Sequence, residues 1–173
     1  MFNIFILLLL FYPGLTEFCG SDKIVYGVEV HKNGALTLLC SRPNCIEKRF
    51  FDCPERSEEI SCNYHRNKVL SGTEKTVDGK IFIKCCEFEN FMDHAKLRYR
   101  NVFVRRGEYF EGEEKTNRDG DVLSFDIVTN MQQIDSNRGA FYNLTVHRFD
   151  CSSLDYGVPS WKRHRPWPFY VLV

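Results

Sequence analysis

The chain has 173 residues, 43% of them hydrophobic, and its 23 basic side chains are matched by 23 acidic ones, so the formal net charge is zero. This balance argues against nucleic acid as a partner, because phosphate binding requires a clear positive excess. The length corresponds to one domain that can bury about two-thirds of its unfolded surface.

The N-terminal segment predicts a cleavable secretory leader. Residues 4–12 are apolar without a break and are followed by the helix-breaking pair Pro13-Gly14. Such a run is too short for a membrane helix, which takes about 20 apolar residues, but it matches the apolar region of a signal peptide. The alternative is a buried segment of the mature protein. We assign residues 1–16 to a signal peptide, cleaved after Gly14 or Thr16, and expect a secreted protein with no transmembrane span.

Strand signals begin directly after the leader. Residues 24–30 and 35–40 are rich in β-forming side chains and flank Asn33-Gly34, a hairpin signal because both turn residues accept positive φ. Residues 41–79 are polar and contain three of the cysteines. We interpret this stretch as a loop-rich excursion that disulfides hold to the domain.

The second half of the chain continues the strand pattern. Strands are predicted at 80–86, 98–105, 109–117, 122–129 and 140–149, with a short helix over 89–97 and a polar loop over 130–139. Asp119-Gly120 supplies another hairpin turn. The alternation in 122–129 places Leu123, Phe125 and Ile127 on one face and Ser124 and Asp126 on the other.

This spacing of short strands predicts a mainly β fold, a disulfide-bonded antiparallel β-sandwich or partly closed barrel with at most short helices. The main domain is assigned to residues 17–152. Residues 153–173 lose the alternation, contain three prolines and are assigned to a C-terminal tail that folding does not require. Within the tail, residues 161–169 mix basic and aromatic side chains. This mixture suits either contact with anionic glycans or membranes, or a solvated terminus.

All cysteines follow the leader, and their number is even. In an oxidising compartment such thiols pair, so we expect four intramolecular disulfides. Eight cysteines allow on the order of a hundred pairings, and the sequence does not choose among them. Adjacent strand residues point to opposite faces, which predicts that Cys85 and Cys86 join different partners rather than each other. The predicted disulfide cysteines are Cys19, Cys40, Cys45, Cys53, Cys62, Cys85, Cys86 and Cys151.

The sequence gives little support for metal binding or catalysis. A zinc site drawn from Cys40, Cys45, Cys53, Cys62 and His65 lacks the closely spaced cysteine pairs of structural zinc modules, so no metal site is predicted. No catalytic histidine, nucleophile or phosphate-loop motif is present, and we predict neither enzymatic activity nor a cofactor. Acidic residues are interpreted as solvated.

One modification site is predicted. Asn143-Leu144-Thr145 is the only N-glycosylation sequon of the chain. In the strand 140–149, Asn143 lies on the face opposite Tyr142 and Leu144, so we expect its side chain to face solvent and to be glycosylated.

A set of short segments occurs in one order along the chain: Cys19-Gly20, 26–30, Gly34, 38–40, 42–45, 85–89, Gly107-Glu108, Gly112-Glu113, 118–120, 124–127, 144–146 and 148–151. In this order the chain resembles the warthog family, nematode hedgehog-related secreted proteins, over the N-terminal Wart domain. Residues 46–79 match less clearly. Many warthog precursors continue into a self-cleaving Hint-type domain; only 22 residues follow Cys151, so self-cleavage and sterol attachment are not expected.

The resemblance implies a secreted intercellular signal in development that acts by binding, with an unknown cell-surface receptor or extracellular matrix protein as partner. The alternative is a structural or adaptor component of extracellular matrix or cuticle. A third hypothesis is an enzyme or enzyme inhibitor. From the residues alone, the sequence indicates a secreted, disulfide-bonded, non-enzymatic β domain.

Overall fold

A computed structural model describes residues 15–46, 51–62, 67–137 and 139–154. Most of the predicted signal peptide, His65 and the tail from residue 155 onward lie outside these residues. The described elements, in chain order, are β1 (Leu15–Phe18), β2 (Ile24–Val30), β3 (Leu36–Ser41), β4 (Lys68–Lys75), β5 (Ile81–Glu87), α1 (Phe91–His94), β6 (Ala95–Val104), β7 (Glu108–Glu111), β8 (Glu114–Thr116), β9 (Val122–Ile134) and β10 (Phe141–Asp150), with short 3-10 turns at Asn44–Ile46 and Cys151–Ser153.

The strands form three antiparallel sheets, in the orders β1-β4-β5, β3-β2-β7 and β6-β10-β9-β8. β7 pairs with β2 and β8 pairs with β9, so the chain passes from one sheet to the next at Gly112. A Cβ on Gly112 would lie 2.7 Å from the Cβ of Asp126, so this crossing requires glycine. The result is a mainly β fold with a half-barrel, which confirms the predicted fold class.

The predicted hairpin turns form, but with a different geometry. Around Asn33-Gly34 the amide of His31 donates to the carbonyl of Ala35, and only Gly34 has positive φ (83°). Three residues therefore separate the paired positions, where a two-residue turn would require positive φ at Asn33 as well. The Asp119-Gly120 turn repeats this arrangement between Asn117 and Asp121.

Several sequence assignments were wrong, including the following three. The excursion 41–79 contains β4, whose centre is the buried Ser71-Gly72-Thr73 and therefore shows no apolar alternation. The helix predicted over 89–97 is only Phe91–His94, since residues 95–97 pair with β10. Residues 130–134, predicted as loop, extend β9: Asn130 is buried and its side-chain oxygen accepts hydrogen bonds from the Cys62 amide and the Ser61 hydroxyl.

The core divides into two hydrophobic clusters, and β9 contributes to both. Val128 and Met131 belong to the first cluster, together with Leu144 of β10. Phe125 and Ile127 belong to the second, in which the ring of Phe149 on β10 stacks against Phe125 and against Phe88, just before α1. Because residues 125–131 are buried on both faces, β9 is the central strand of the domain.

All eight cysteines are bridged, as Cys19–Cys40, Cys45–Cys151, Cys53–Cys86 and Cys62–Cys85. This confirms the prediction of four intramolecular disulfides and of separate partners for Cys85 and Cys86. The four cysteines of the alternative zinc site are therefore unavailable as thiolate ligands. Two of the bridges tie the segment 51–62 to β5, and a third ties the segment 44–46 to the turn that follows β10, which explains how these irregular stretches are held in place.

Candidate binding groove

The strand β6 lies at the edge of its sheet. Among the described residues it pairs only with β10, and it carries Lys96, Arg98 and Arg100 with no acidic side chain. Leu97 and Tyr99 of the same strand are 45% and 41% exposed. An edge strand with exposed apolar side chains can accept a partner, and its basic side chains oppose pairing with a second copy of itself.

A shallow groove of about 710 Å³ crosses the sheet from β6 to β8. Its lining residues are Lys96, Leu97, Arg98, Lys115, Leu123, Ser124, Arg148, Asp150 and Ser152. We call this the basic groove, because four of its side chains are cationic and one is acidic. Leu97 and Leu123 leave nearly half of their surface exposed in it. Leu123 was expected on the inner face with Phe125, but it lies near the start of β9, beyond the covered part of the strand.

The buried carboxylate of Asp126 holds two arginines of the basic groove in place. Its Oδ1 accepts from Arg148 Nε at 2.7 Å, and its Oδ2 accepts from Arg98 Nη1 at 2.7 Å and from Arg148 Nη2 at 2.9 Å. The backbone amide of Glu113 donates to the same Oδ2 at 3.0 Å. The side chain of Asp126 is 1% exposed, so this network joins β6, β9 and β10 to the residue that precedes β8.

Glu113 completes the network from its exposed side. Its Oε2 accepts from Arg98 Nη2 at 2.9 Å and from Arg148 Nη2 at 3.2 Å. Burial alone would lower the pKa of Arg98, but the hydrogen bonds to Glu113 and Asp126 outweigh it and raise this pKa. Two carboxylates thus balance two guanidinium groups, and the lysines of the groove remain without a counter-charge in this network.

Comparison with known proteins shows the family of the chain. Residues 16–152 match the family described as the Warthog N-terminal signalling domain. The chain belongs to the Warthog family. It is 44% identical to Warthog protein 3 of Caenorhabditis elegans over 172 residues, which cover 99% of this chain and 96% of that relative. It is 36% identical to Warthog protein 5 of the same organism, over 90% of this chain and 88% of the relative. No solved structure matches.

The assignment confirms the predicted resemblance, and this Warthog domain is related to hedgehog-type signalling proteins. A third relative, Warthog protein 6 of C. elegans, is 22% identical, and the match covers 24% of its length. Three members of the Asp126 network, Glu113, Asp126 and Arg148, lie in segments on which the resemblance was based. The structure therefore brings these separate segments together in one hydrogen-bonded network.

The network is the feature that sequence reasoning missed. Asp126 was placed on the outer face of a half-buried strand, and acidic residues were interpreted as solvated, whereas Asp126 is 2% exposed. Its arginine partners lie 28 and 22 residues away in the chain. The available signal was a single carboxylate within the otherwise apolar run 125–128, because a charge in such a run must be paired once it is buried.

The predicted glycosylation site and one histidine that the sequence did not single out are placed as follows. Asn143 lies in β10, partly buried, and its Nδ2 donates to Asn101 Oδ1 at 3.3 Å. His147 contacts the Thr129 hydroxyl at 2.9 Å, and burial followed by the charge of Arg100 lowers its pKa.

Among the described residues no group of three or more His, Cys, Asp or Glu side chains is arranged to hold a metal ion. In the same part of the chain, no helix is long and apolar enough to cross a membrane.

Proposed function

We propose that this Warthog domain is a secreted intercellular signal that acts by binding, without enzymatic activity, and that the basic groove contacts its partner. The family assignment supports a signalling role, and the four disulfides together with the predicted leader support an extracellular location. The observation that carries the proposed site is the groove, where exposed leucines lie between cationic side chains on a sheet edge.

The groove favours an acidic segment of a cell-surface protein as its occupant. Lys96 and Lys115 lie at its two sides, on β6 and β8, and their charges are not used by the Asp126 network. Leu97 and Leu123 supply apolar area that a partner would remove from water. Charge complementarity of this kind speeds association and sets partner choice. The alternative, a structural component of matrix or cuticle, would use the same surface for permanent assembly.

Charge reversal tests the site. We expect the variant carrying Lys96→Glu and Lys115→Glu to lose at least tenfold in saturable binding to cells of its tissue of origin. The matched control carries Lys23→Glu and Lys32→Glu, two exposed lysines outside the groove with the same total charge change. Equal binding by the two variants would remove the groove from the proposal. Equal secretion and equal thermal midpoints show that both variants are folded.

Asn143 is proposed to carry an N-linked glycan in the secreted protein. The sequon supports this proposal, as does the leader that would bring the chain to the glycosylation machinery. A mobility shift on enzymatic glycan removal, lost in Asn143→Gln, is the expected result.

A further inference from the structure

An aromatic pair lies on the sheet formed by β6 and β10. The ring centroids of Phe103 and Phe141 are 5.9 Å apart, and the planes meet at 65° in an edge-to-face contact. Phe103 is 45% exposed, and the Arg105 guanidinium lies 5.9 Å from the Phe141 ring centroid. Phe141 is partly buried, and the exposed part of the two rings leaves apolar area in water that a covering group would bury.

The glycosylation sequon lies directly beside this pair. Asn143 is the cross-strand partner of Phe103 in the β6–β10 register, and Phe141 precedes it by two residues on the same strand. Residues two apart on a strand project from the same face, and directly opposed residues have Cβ atoms about 4.5–5.5 Å apart. Asn143, Phe103 and Phe141 therefore form one continuous surface.

The amide of Asn143 is oriented for attachment. Its Oδ1 is buried and has no hydrogen-bond partner within the described part of the chain. Its Nδ2 is at the exposed end, where it donates to Asn101. Nδ2 is the atom that carries an N-linked sugar, and after attachment it keeps one hydrogen. The contact with Asn101 is therefore compatible with a glycan.

We infer that the first sugar of an Asn143 glycan packs on Phe103 and Phe141 and thereby stabilises the folded domain. The inference rests on the proposed glycosylation of Asn143, which supplies the occupant. A lipid-linked diphosphate oligosaccharide donates the glycan: the Nδ2–anomeric carbon bond forms, the anomeric carbon–phosphate bond breaks, and Nδ2 loses one proton. The C–H face of a sugar ring then covers apolar ring surface that would otherwise contact water.

Thermal unfolding of three forms of the secreted protein tests the inference. One form carries the full glycan, one is trimmed enzymatically to its first sugar, and one is the same sequence secreted while synthesis of the lipid-linked donor is inhibited. We expect the first two forms to have equal midpoints, about 3 °C or more above that of the unmodified form. Equal midpoints for all three forms would overturn the inference while leaving glycosylation established.

Two substitutions locate the effect. In Phe103→Thr the midpoint difference between trimmed and unmodified protein should fall below half of its wild-type value. Tyr109→Thr, which removes a 68% exposed aromatic side chain on another sheet, should leave the difference unchanged. A difference that persists in Phe103→Thr would contradict packing on this pair. If mass spectrometry finds no glycan on Asn143, both the proposed glycosylation and this inference fail.

Discussion

The Oδ1 of Asp126 lies 2.7 Å from the Nε of Arg148, and this contact joins the central strand β9 to an arginine of β10 that lines the basic groove. Burying a carboxylate is costly unless the charge is paired and its lone pairs are hydrogen-bonded. Asp126 meets that condition through two guanidinium groups and one backbone amide. The network therefore stabilises the sheet whose opposite edges, β6 and β8, carry the lysines of the groove.

Removal of the Asp126 carboxylate should strongly destabilise the folded domain. Asp126→Ala leaves Arg98 and Arg148 without their buried partner, and we expect a loss of about 3–5 kcal/mol in the free energy of unfolding. Glu113→Ala removes an acidic group whose side chain is 61% exposed and should cost less than about 1 kcal/mol. Urea unfolding of both variants measures the difference, and similar losses would contradict a special role for the buried carboxylate.

The disulfides should differ in their contribution to stability. Cys45–Cys151 spans 106 residues and Cys19–Cys40 spans 21. In the chain-entropy account, a longer loop restricts the unfolded chain more, by about 1.4 kcal/mol for these two lengths. Replacement of both cysteines by alanine should therefore cost more at Cys45/Cys151 than at Cys19/Cys40. Denaturant unfolding of the two double variants tests this order. A reversed order would indicate that native packing around each bridge, rather than loop length, determines the loss of stability.

The end of the domain can be located by two truncations. Leu154, assigned from sequence to the tail, is 7% exposed and packs in the second cluster. A chain that stops after Leu154 should keep the thermal midpoint of the full-length protein. One that stops after Ser153 loses this buried side chain, about 2 kcal/mol or roughly 4–8 °C. Equal midpoints for the two truncations would show that Leu154 contributes nothing, and a large loss in both would assign later residues to the fold.

Stability should fall below neutral pH through His147. Burial, followed by the charge of Arg100, lowers its pKa from the usual 6.5. Below 6.5 the unfolded chain takes up a proton that the folded state resists, so the free energy of unfolding decreases from that pH down to the lowered pKa. His147→Gln removes this titration. Between pH 7 and pH 5 the variant should lose less stability than the wild type, and parallel losses would contradict the assignment.

The sequence was sufficient for features that depend on neighbours in the chain. Strand alternation was enough to separate Cys85 from Cys86, and Gly34 and Gly120 were enough to locate two hairpins. The choice of disulfide partners depends on how distant strands meet, so the residues alone left it open. β4 was missed because small polar residues fill its centre, where the sheet rather than an apolar pattern determines burial.

The candidate site was less accessible to sequence reasoning than the fold. Lys96 and Lys115 are 19 positions apart and lie along one groove only because β6 and β8 belong to the same sheet. The charge of Asp126 is paired by Arg98 of β6 and Arg148 of β10, two residues that are distant from it in the chain. This pairing depends on how distant strands meet. Local strand periodicity is the same for an exposed carboxylate and for a buried, paired one, so it could not distinguish the two.

The proposed signalling role is tested most directly by following tagged protein after it is secreted in its own tissue. A binding signal predicts saturable association with cell surfaces that excess unlabelled protein displaces and that weakens at high salt, because screening shortens the reach of the lysine charges. Protein that instead accumulates without saturation in a fraction resistant to salt and detergent would contradict the proposed signalling role and favour a structural component of the matrix.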